Sequence, residues 1–292
     1  GNEWQYIKEC LDTEWVSSAG KYVDLFEKKI AEYTGSKNAV ACVNGTSAIQ
    51  VSLRLAGVLP GDEVIVPSLT FIAPVNAITY NGAKPIFMDS DEYYNLDAEK
   101  TIDFILKRTK IQRITNNRVI TINKKTGNRI SAIIPVHVWG NAARLDDLIP
   151  LCLERGISVV EDASESLGTV YTDGRYSGKQ TGTIGILGCL SFNGNKIITT
   201  GGGGMILTND NKLAEKARYL TTQAKNDPVR YIHHEIGYNF RLTNIQAALG
   251  VAQLEQLPGF LELKQEIHHQ YSKGLEGITG LTLAEGPDYA SN

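Results

Sequence analysis

A lysine placed between an apolar strand and a run of glycines is confined in a way that few lysines are. Ser191-Phe192-Asn193-Gly194-Asn195-Lys196 leaves the apolar stretch Gly188–Phe192, and four glycines, Gly201 to Gly204, follow closely. Glycines exclude side-chain bulk and let the chain reverse, so Lys196 is a candidate for Schiff-base chemistry rather than a solvated surface group. Lys179, in the loop Ser177-Gly178-Lys179-Gln180, is a rival that lacks the preceding buried strand. A second feature is Ile157-Ser158-Val159-Val160-Glu161-Asp162, which places Asp162 at the carboxyl end of a buried parallel strand, where ligands bind in open α/β sheets. A carboxylate buried there needs a cationic partner, and a pyridinium nitrogen is one. Capping of a helix from Ala163 onward is the alternative, and it stays open.

The third feature is the turn Asn44-Gly45-Thr46-Ser47-Ala48. Gly45 permits close backbone approach, and the first N–H groups of a following helix form an anion site to which the hydroxyls of Thr46 and Ser47 can add donors. Ser/Thr turns also occur as ordinary helix caps. Neither a Walker A loop nor a G-x-G-x-x-G fingerprint is present. Tyr231-Ile232-His233-His234-Glu235 lacks zinc-site spacing, so no metal is expected, and His268-His269 falls on a charged helix face. No G-x-S-x-G elbow occurs.

Positioning such groups requires an alternating α/β chain. Strand-like runs recur at Ala39–Val43, Glu63–Pro67, Pro85–Met88, Ala132–Val136 and Ser158–Glu161, separated by helical stretches such as Thr70–Tyr80 and Leu145–Arg155. That order implies βαβ units and a mainly parallel sheet. Trp4 to Tyr33 reads as two amphipathic helices with a break at residues 15–20. Arg118–Arg129 contains Lys124-Lys125-Thr126-Gly127-Asn128, the tip of a hairpin. Short strands follow at Gly188–Phe192 and Met205–Leu207. Helices are expected over Asn211–Ala224, over Thr243–Gln256, and again from Phe260 to Leu275 beyond Pro258, with a strand-like segment beginning at Leu281.

The chain has 292 residues, 42% hydrophobic and 21% charged, with a formal net charge of −3, so no global basic field invites nucleic acid. No run of 18 apolar residues predicts a membrane span. Cys10, Cys42, Cys152 and Cys189 form neither a C-x-x-C pair nor a disulfide framework, which fits a reducing, cytoplasmic setting.

Taken in order, these motifs resemble the DegT/DnrJ/EryC1/StrS family of sugar aminotransferases, which share the fold-type I architecture of aspartate aminotransferase. Asn44–Ala48 resembles the family's phosphate turn, and Pro67-Ser68-Leu69-Thr70-Phe71-Ile72-Ala73 the segment whose aromatic residue stacks on the cofactor. Pro135-Val136-His137-Val138-Trp139-Gly140 is similar to a central strand end, and Glu161-Asp162-Ala163-Ser164-Glu165 to the segment bearing the pyridine-nitrogen Asp. Ser191 through Lys196 resembles the Schiff-base segment, and Gly237-Tyr238-Asn239-Phe240-Arg241 the segment donated across a homodimer.

The resemblance implies pyridoxal 5'-phosphate as cofactor, carried by Lys196, which then moves the proton between substrate and cofactor carbons. It gives Asp162 the pyridine nitrogen, Phe71 the ring face, and Gly45, Thr46, Ser47 and Ser191 the phosphate, with Asn239 of a second subunit completing that site. Glu165 stands near the phenolic oxygen, where many members carry Gln or His. Relatives with His in place of Lys196 dehydrate C3 of a sugar, so Lys196 implies transamination.

Asn193–Gly204, Thr221–Lys225 and Tyr231–Glu235 resemble the LegC-type branch. That branch implies amination of C4 of a UDP-linked 4-keto-6-deoxy-N-acetylhexosamine with L-glutamate as donor, for bacillosamine or legionaminic acid and hence bacterial surface polysaccharide. Perosamine-forming enzymes using a GDP-sugar share part of the pattern, and C3 amination or a catalytically silent sugar-nucleotide-binding relative are further alternatives. Residues 1–256 are expected to form the large cofactor domain, and 257–292 the start of a small C-terminal domain that longer family members continue.

Overall fold

The computed structural model describes residues 1–114, 119–227 and 229–291. The chain opens with helices α1 (Glu3–Asp12) and α2 (Lys21–Thr34), then β1 (Asn38–Cys42) and α3 (Gly45–Leu55). It continues through β2 (Glu63–Pro67), α4 (Ile72–Tyr80), β3 (Lys84–Met88), α5 (Ala98–Arg108) and β4 (Thr109–Arg113). Next come β5 (Val119–Asn123), β6 (Arg129–Ile133), α6 (Leu148–Arg155), β7 (Ser158–Asp162) and the short β8 (Val170–Tyr171). The last part holds β9 (Leu187–Ser191), β10 (Gly204–Thr208), α7 (Asn211–Thr221), the β11 (Lys225–Asp227) and β12 (Ile232–His233) ribbon, α8 (Asn244–Leu275) and β13 (Ala290–Ser291).

The central sheet runs β1-β10-β9-β7-β6-β2-β3. β2, β3, β6, β7 and β9 are mutually parallel. Along this order β10 runs against both its neighbours, pairing Cys42↔Gly204 on one side and Ser191↔Gly204 on the other. The expected mainly parallel sheet is therefore present, and the hairpin of β5 and β6, with Gly127 at φ +77° in its turn, attaches β4 beside it. Arg118, the expected first residue of that hairpin, lies outside the described residues.

Strand alternation divides the core between two faces. Val40 and Cys42 of β1 join Ile49 and Leu53 of α3 and Ala217 and Leu220 of α7 on one face. Ala39 and Ala41 meet Phe26 and Ile30 of α2 and Ala248 and Val251 of α8 on the other. A third cluster, with Ile133 and Val159 packed on Ile105 of α5 and Leu148 of α6, closes the far half. At Gly250 an added Cβ would lie 2.7 Å from the Phe26 ring and 2.8 Å from Thr200, so glycine lets α8 press on both.

Several element boundaries differ from expectation. α8 passes through Pro258 as one helix, where two were expected. The proline removes a single N–H that would bond the Leu254 carbonyl, while Leu254 and Leu257 stay buried and hold the turn in place. α7 stops at Thr221, because Gln223 and Ala224 turn to positive φ. The segment from Leu281 to Gly286 is exposed, and no strand forms until Ala290–Ser291 pairs with β8. No helix among the described residues is long and apolar enough to cross a membrane.

Candidate active site

Five strands, β1, β2, β6, β7 and β9, point their carboxyl ends to one edge of the sheet, and the loops leaving them meet there. Together they line a cavity of about 670 Å³. That volume is within the range of small-ligand sites. Its wall includes Gly45, Thr46, Phe71, Asp162, Glu165, Ser191 and Lys196, which the sequence distributes over more than 150 positions.

At the β1 end, Asn44 caps α3: its extended backbone turns the chain, and its Oδ1 accepts the Ser47 N–H at 2.8 Å. The N–H groups of Gly45 and Thr46 precede the helical ladder and are available to an anion. Gly45 is dictated by crowding, since a Cβ there would lie 2.9 Å from the Ser191 Cβ and 3.3 Å from the Ser164 Oγ. Ser47 is buried and does not line the cavity; its N–H is spent on the cap.

Lys196 sits in the loop joining antiparallel β9 and β10. That loop is closed on itself by the Phe192 N–H to the Gly203 carbonyl (2.8 Å) and the Thr200 N–H to the Phe192 carbonyl (2.9 Å). Its Nζ reaches Glu165 Oε1 at 3.0 Å and stands 5.8 Å from the Phe71 ring centre. Glu165 is held from its other oxygen by the Trp139 N–H at 3.0 Å. Trp139 achieves this with φ +54°, a left-handed conformation that costs a non-glycine residue about 1–2 kcal/mol. Phe71 itself is 69% exposed on the cavity rim, with its extended backbone starting α4. Lys179, the rival lysine, is exposed near β8 and away from the cavity.

Asp162 ends β7 with only 4% of its surface exposed. Burial pushes its carboxyl above the usual range, and the groups that oppose this are the Ser164 hydroxyl and N–H, then the charge of Lys196. Among the described residues its donors come from Ser164 alone, the N–H reaching Oδ1 at 3.1 Å. A buried carboxylate so sparsely bonded fits a protonated ring nitrogen. Thr70 adds a buried hydroxyl on the cavity wall that has no partner among the described residues. The anion-ready helix end, the lysine, the rim aromatic and the under-bonded aspartate match the parts of pyridoxal phosphate one for one.

Asn239 is exposed and outside this cavity in its own chain, bridging to Thr222. Arg241, two residues on, is instead tied to Glu27 of α2, which also bonds Arg218 and the Ala41 N–H. Sequence reasoning did not assign Ser164, Thr70 or the roles of Trp139 and His137. Their signal lies in three-dimensional closeness, and only the positions of Trp139 and His137 just beyond a strand end hinted at it.

The model of the DegT/DnrJ/EryC1/StrS aminotransferase family matches residues 1–291. A GDP-perosamine synthase of Caulobacter vibrioides is 43% identical over 276 residues, 94% of this chain and 67% of that protein. The putative pyridoxal phosphate-dependent aminotransferase EpsN of Bacillus subtilis is 41% identical over 292 residues, covering 100% of this chain and 70% of its own. Among solved structures, a DegT DnrJ EryC1 StrS aminotransferase from Brucella abortus superimposes with a TM-score of 0.86 at 30% identity, over 99% of this chain and 72% of that one. With this site geometry and these relatives, the chain belongs to the DegT/DnrJ/EryC1/StrS family and is a pyridoxal-phosphate-dependent sugar aminotransferase.

Proposed function

We propose that this aminotransferase moves an amino group from L-glutamate to C4 of a nucleotide-linked 4-keto-6-deoxy sugar, in the cytoplasm, for surface polysaccharide synthesis. The observation that carries the reading is the convergence of Lys196, Glu165, Phe71 and Asp162 on the cavity floored by the α3 N-terminus.

When bound, pyridoxal phosphate supplies an electron sink that stabilises the charge left on a deprotonated carbon. The protein's own residues do the rest. Gly45 and Thr46 N–H groups and the Ser191 hydroxyl bind the phosphate; Ser47 supports them by closing the cap. Asp162 accepts a hydrogen bond from the ring nitrogen and holds its proton in place. Phe71 covers one ring face. Lys196 would hold the cofactor through its Nζ and, as a free amine, would take and return the proton at the substrate carbon. Glu165 and the Trp139 N–H fix where the Lys196 Nζ rests between those steps.

The working unit in this reading is a homodimer, with Asn239 reaching the neighbour's phosphate site. Tyr231 and Ile236, 68% and 78% exposed beside the β11–β12 ribbon, favour a covered surface there. In this reading the large domain ends after Gln256, within α8, whose later half exposes Leu263, Ile267 and Tyr271 at four-residue spacing.

For the sugar, the motifs around Lys196 favour a UDP-linked N-acetylhexosamine. The 43% identity to a GDP-perosamine synthase favours a GDP-linked 4-keto-6-deoxyhexose as the second reading. Incubation with each 4-keto sugar and ¹⁵N-glutamate, followed by locating ¹⁵N in the product, separates them. Label at C3, or none with either sugar, would sink both.

A further inference from the structure

Next to Asp162 on β7 lies a second acid, Glu161, which is fully buried and faces the opposite side of the strand. Its carboxylate collects four donors. Oε1 accepts the Ile184 N–H (2.7 Å) and the Gly185 N–H (2.6 Å). Oε2 accepts the Gly182 N–H (2.9 Å) and lies 3.0 Å from His137 Nε2. The other ring nitrogen, Nδ1, receives the Ala143 N–H at 3.0 Å. A backbone N–H can only donate, so Nδ1 is an acceptor and the ring proton sits on Nε2, pointing at Glu161. His137 is itself fully buried, lines the cofactor cavity, and bonds the Asp162 carbonyl through its backbone N–H at 3.1 Å.

We infer that Glu161 and His137 are a positioning pair for the cofactor's nitrogen site: Glu161 fixes the His137 ring and the 182–185 loop, and through them the setting of Asp162. The inference rests on assigning Asp162 to the pyridine nitrogen. The surrounding segment has no slack to rearrange. A Cβ at Gly182 would lie 2.9 Å from the Ala163 Cβ, and one at Gly185 2.6 Å from the Val159 carbonyl oxygen. The carboxylate is also irreplaceable by its amide. In Glu161→Gln either orientation points the NH₂ at two donors, the Ile184 and Gly185 pair or the Gly182 and His137 pair. The histidine cannot relieve the conflict by moving its proton to Nδ1, because Nδ1 faces the Ala143 N–H. The frustration therefore passes to His137, whose backbone N–H bonds the Asp162 carbonyl.

The test compares Glu161→Gln, Glu161→Gln/His137→Gln and Asp162→Asn with wild type. It reads cofactor affinity by absorbance titration, urea midpoint of the cofactor-free protein, and the ¹⁵N shifts of labelled His137. Wild type should show a protonated Nε2 and an unprotonated Nδ1. Glu161→Gln should stay folded, keep that tautomer while shifting the Nε2 resonance through its altered hydrogen bond, and weaken pyridoxal phosphate binding at least tenfold. In the double variant the amide oxygen introduced at position 137 lies near the old Nε2 position and accepts from the amide NH₂ introduced at position 161. It should recover part of the affinity, which a second merely destabilising change would not do. Unchanged affinity in Glu161→Gln, a protonated Nδ1 in wild type, or no recovery in the double variant would overturn the pair. Asp162→Asn separates the two levels: if it leaves affinity intact, the nitrogen-site assignment fails; if it alone loses affinity, only the positioning pair fails.

Discussion

Adding one methyl group at Gly45 probes the tightest point of the cofactor cradle. The backbone at Gly45 is ordinary helix, so alanine meets no torsional objection and even gains some helix propensity. The objection is contact: the new Cβ would sit 2.9 Å from the Ser191 Cβ, 3.2 Å from its Oγ and 3.3 Å from the Ser164 Oγ. Reaching ordinary carbon–carbon separation requires a shift of roughly half an ångström or more. Ser191 cannot retreat, because it ends β9, which is paired on one side with β7 and on the other with β10. Nor can the turn sink, since the Asn44 carbonyl already lies against Gly204, where a Cβ would be 2.5 Å away. The α3 N-terminus must lift, and overpacking of this kind costs about 1–3 kcal/mol. The lift also misdirects the Gly45 and Thr46 N–H groups that bind the phosphate in this account. Gly45→Ala should therefore lower urea stability of the cofactor-free protein by about 1–3 kcal/mol. It should also weaken pyridoxal phosphate at least about tenfold, equivalent to about 1.4 kcal/mol. A stability change under about 0.5 kcal/mol together with unaltered affinity would refute the reasoning.

Other outcomes follow from the same structure. Burial raises the Asp162 carboxyl, so its unfavourable contribution to the cofactor-free protein is absent at acid pH and grows as pH rises through the unfolded-state value, levelling off above the raised folded-state value. Asp162→Asn should then be more stable than wild type in urea at neutral pH without cofactor, with the advantage shrinking on acidification; the reverse trend would contradict the burial argument. The four cysteines are buried, with the Cys42 and Cys152 thiols pushed up to about 12 by burial, so Ellman's reagent should label them only after unfolding. Gly259, mid-helix with open space around it, should tolerate alanine with a gain of about 0.5–1 kcal/mol in thermal or urea melts; a loss would mean that α8 is not continuous there.

Much of this is legible in the sequence. Strand ends that carry chemistry are written locally: an apolar run followed by Asn-Gly-Thr-Ser, by Glu-Asp or by a confined lysine is visible within ten residues. Partners that come from afar are not. Nothing near Glu165 announces that it pairs with Lys196, 31 positions away, or that a strained Trp139 N–H holds its other oxygen. Pro258 misled for a physical reason: sequence rules charge proline its lost hydrogen bond but cannot see the burial of Leu254 and Leu257 that sustains the helix. Asn239 could be placed only by resemblance, because its own chain leaves it on the surface.

The central claim is that Lys196 carries the cofactor opposite Asp162. Loading the protein with pyridoxal phosphate, reducing it with borohydride and mapping the modified peptide by mass spectrometry tests this directly. The account expects the pyridoxyl label on Lys196, lost in Lys196→Ala with Lys179 left unlabelled. Label on Lys179 or another lysine, or undiminished labelling in Lys196→Ala, would contradict it.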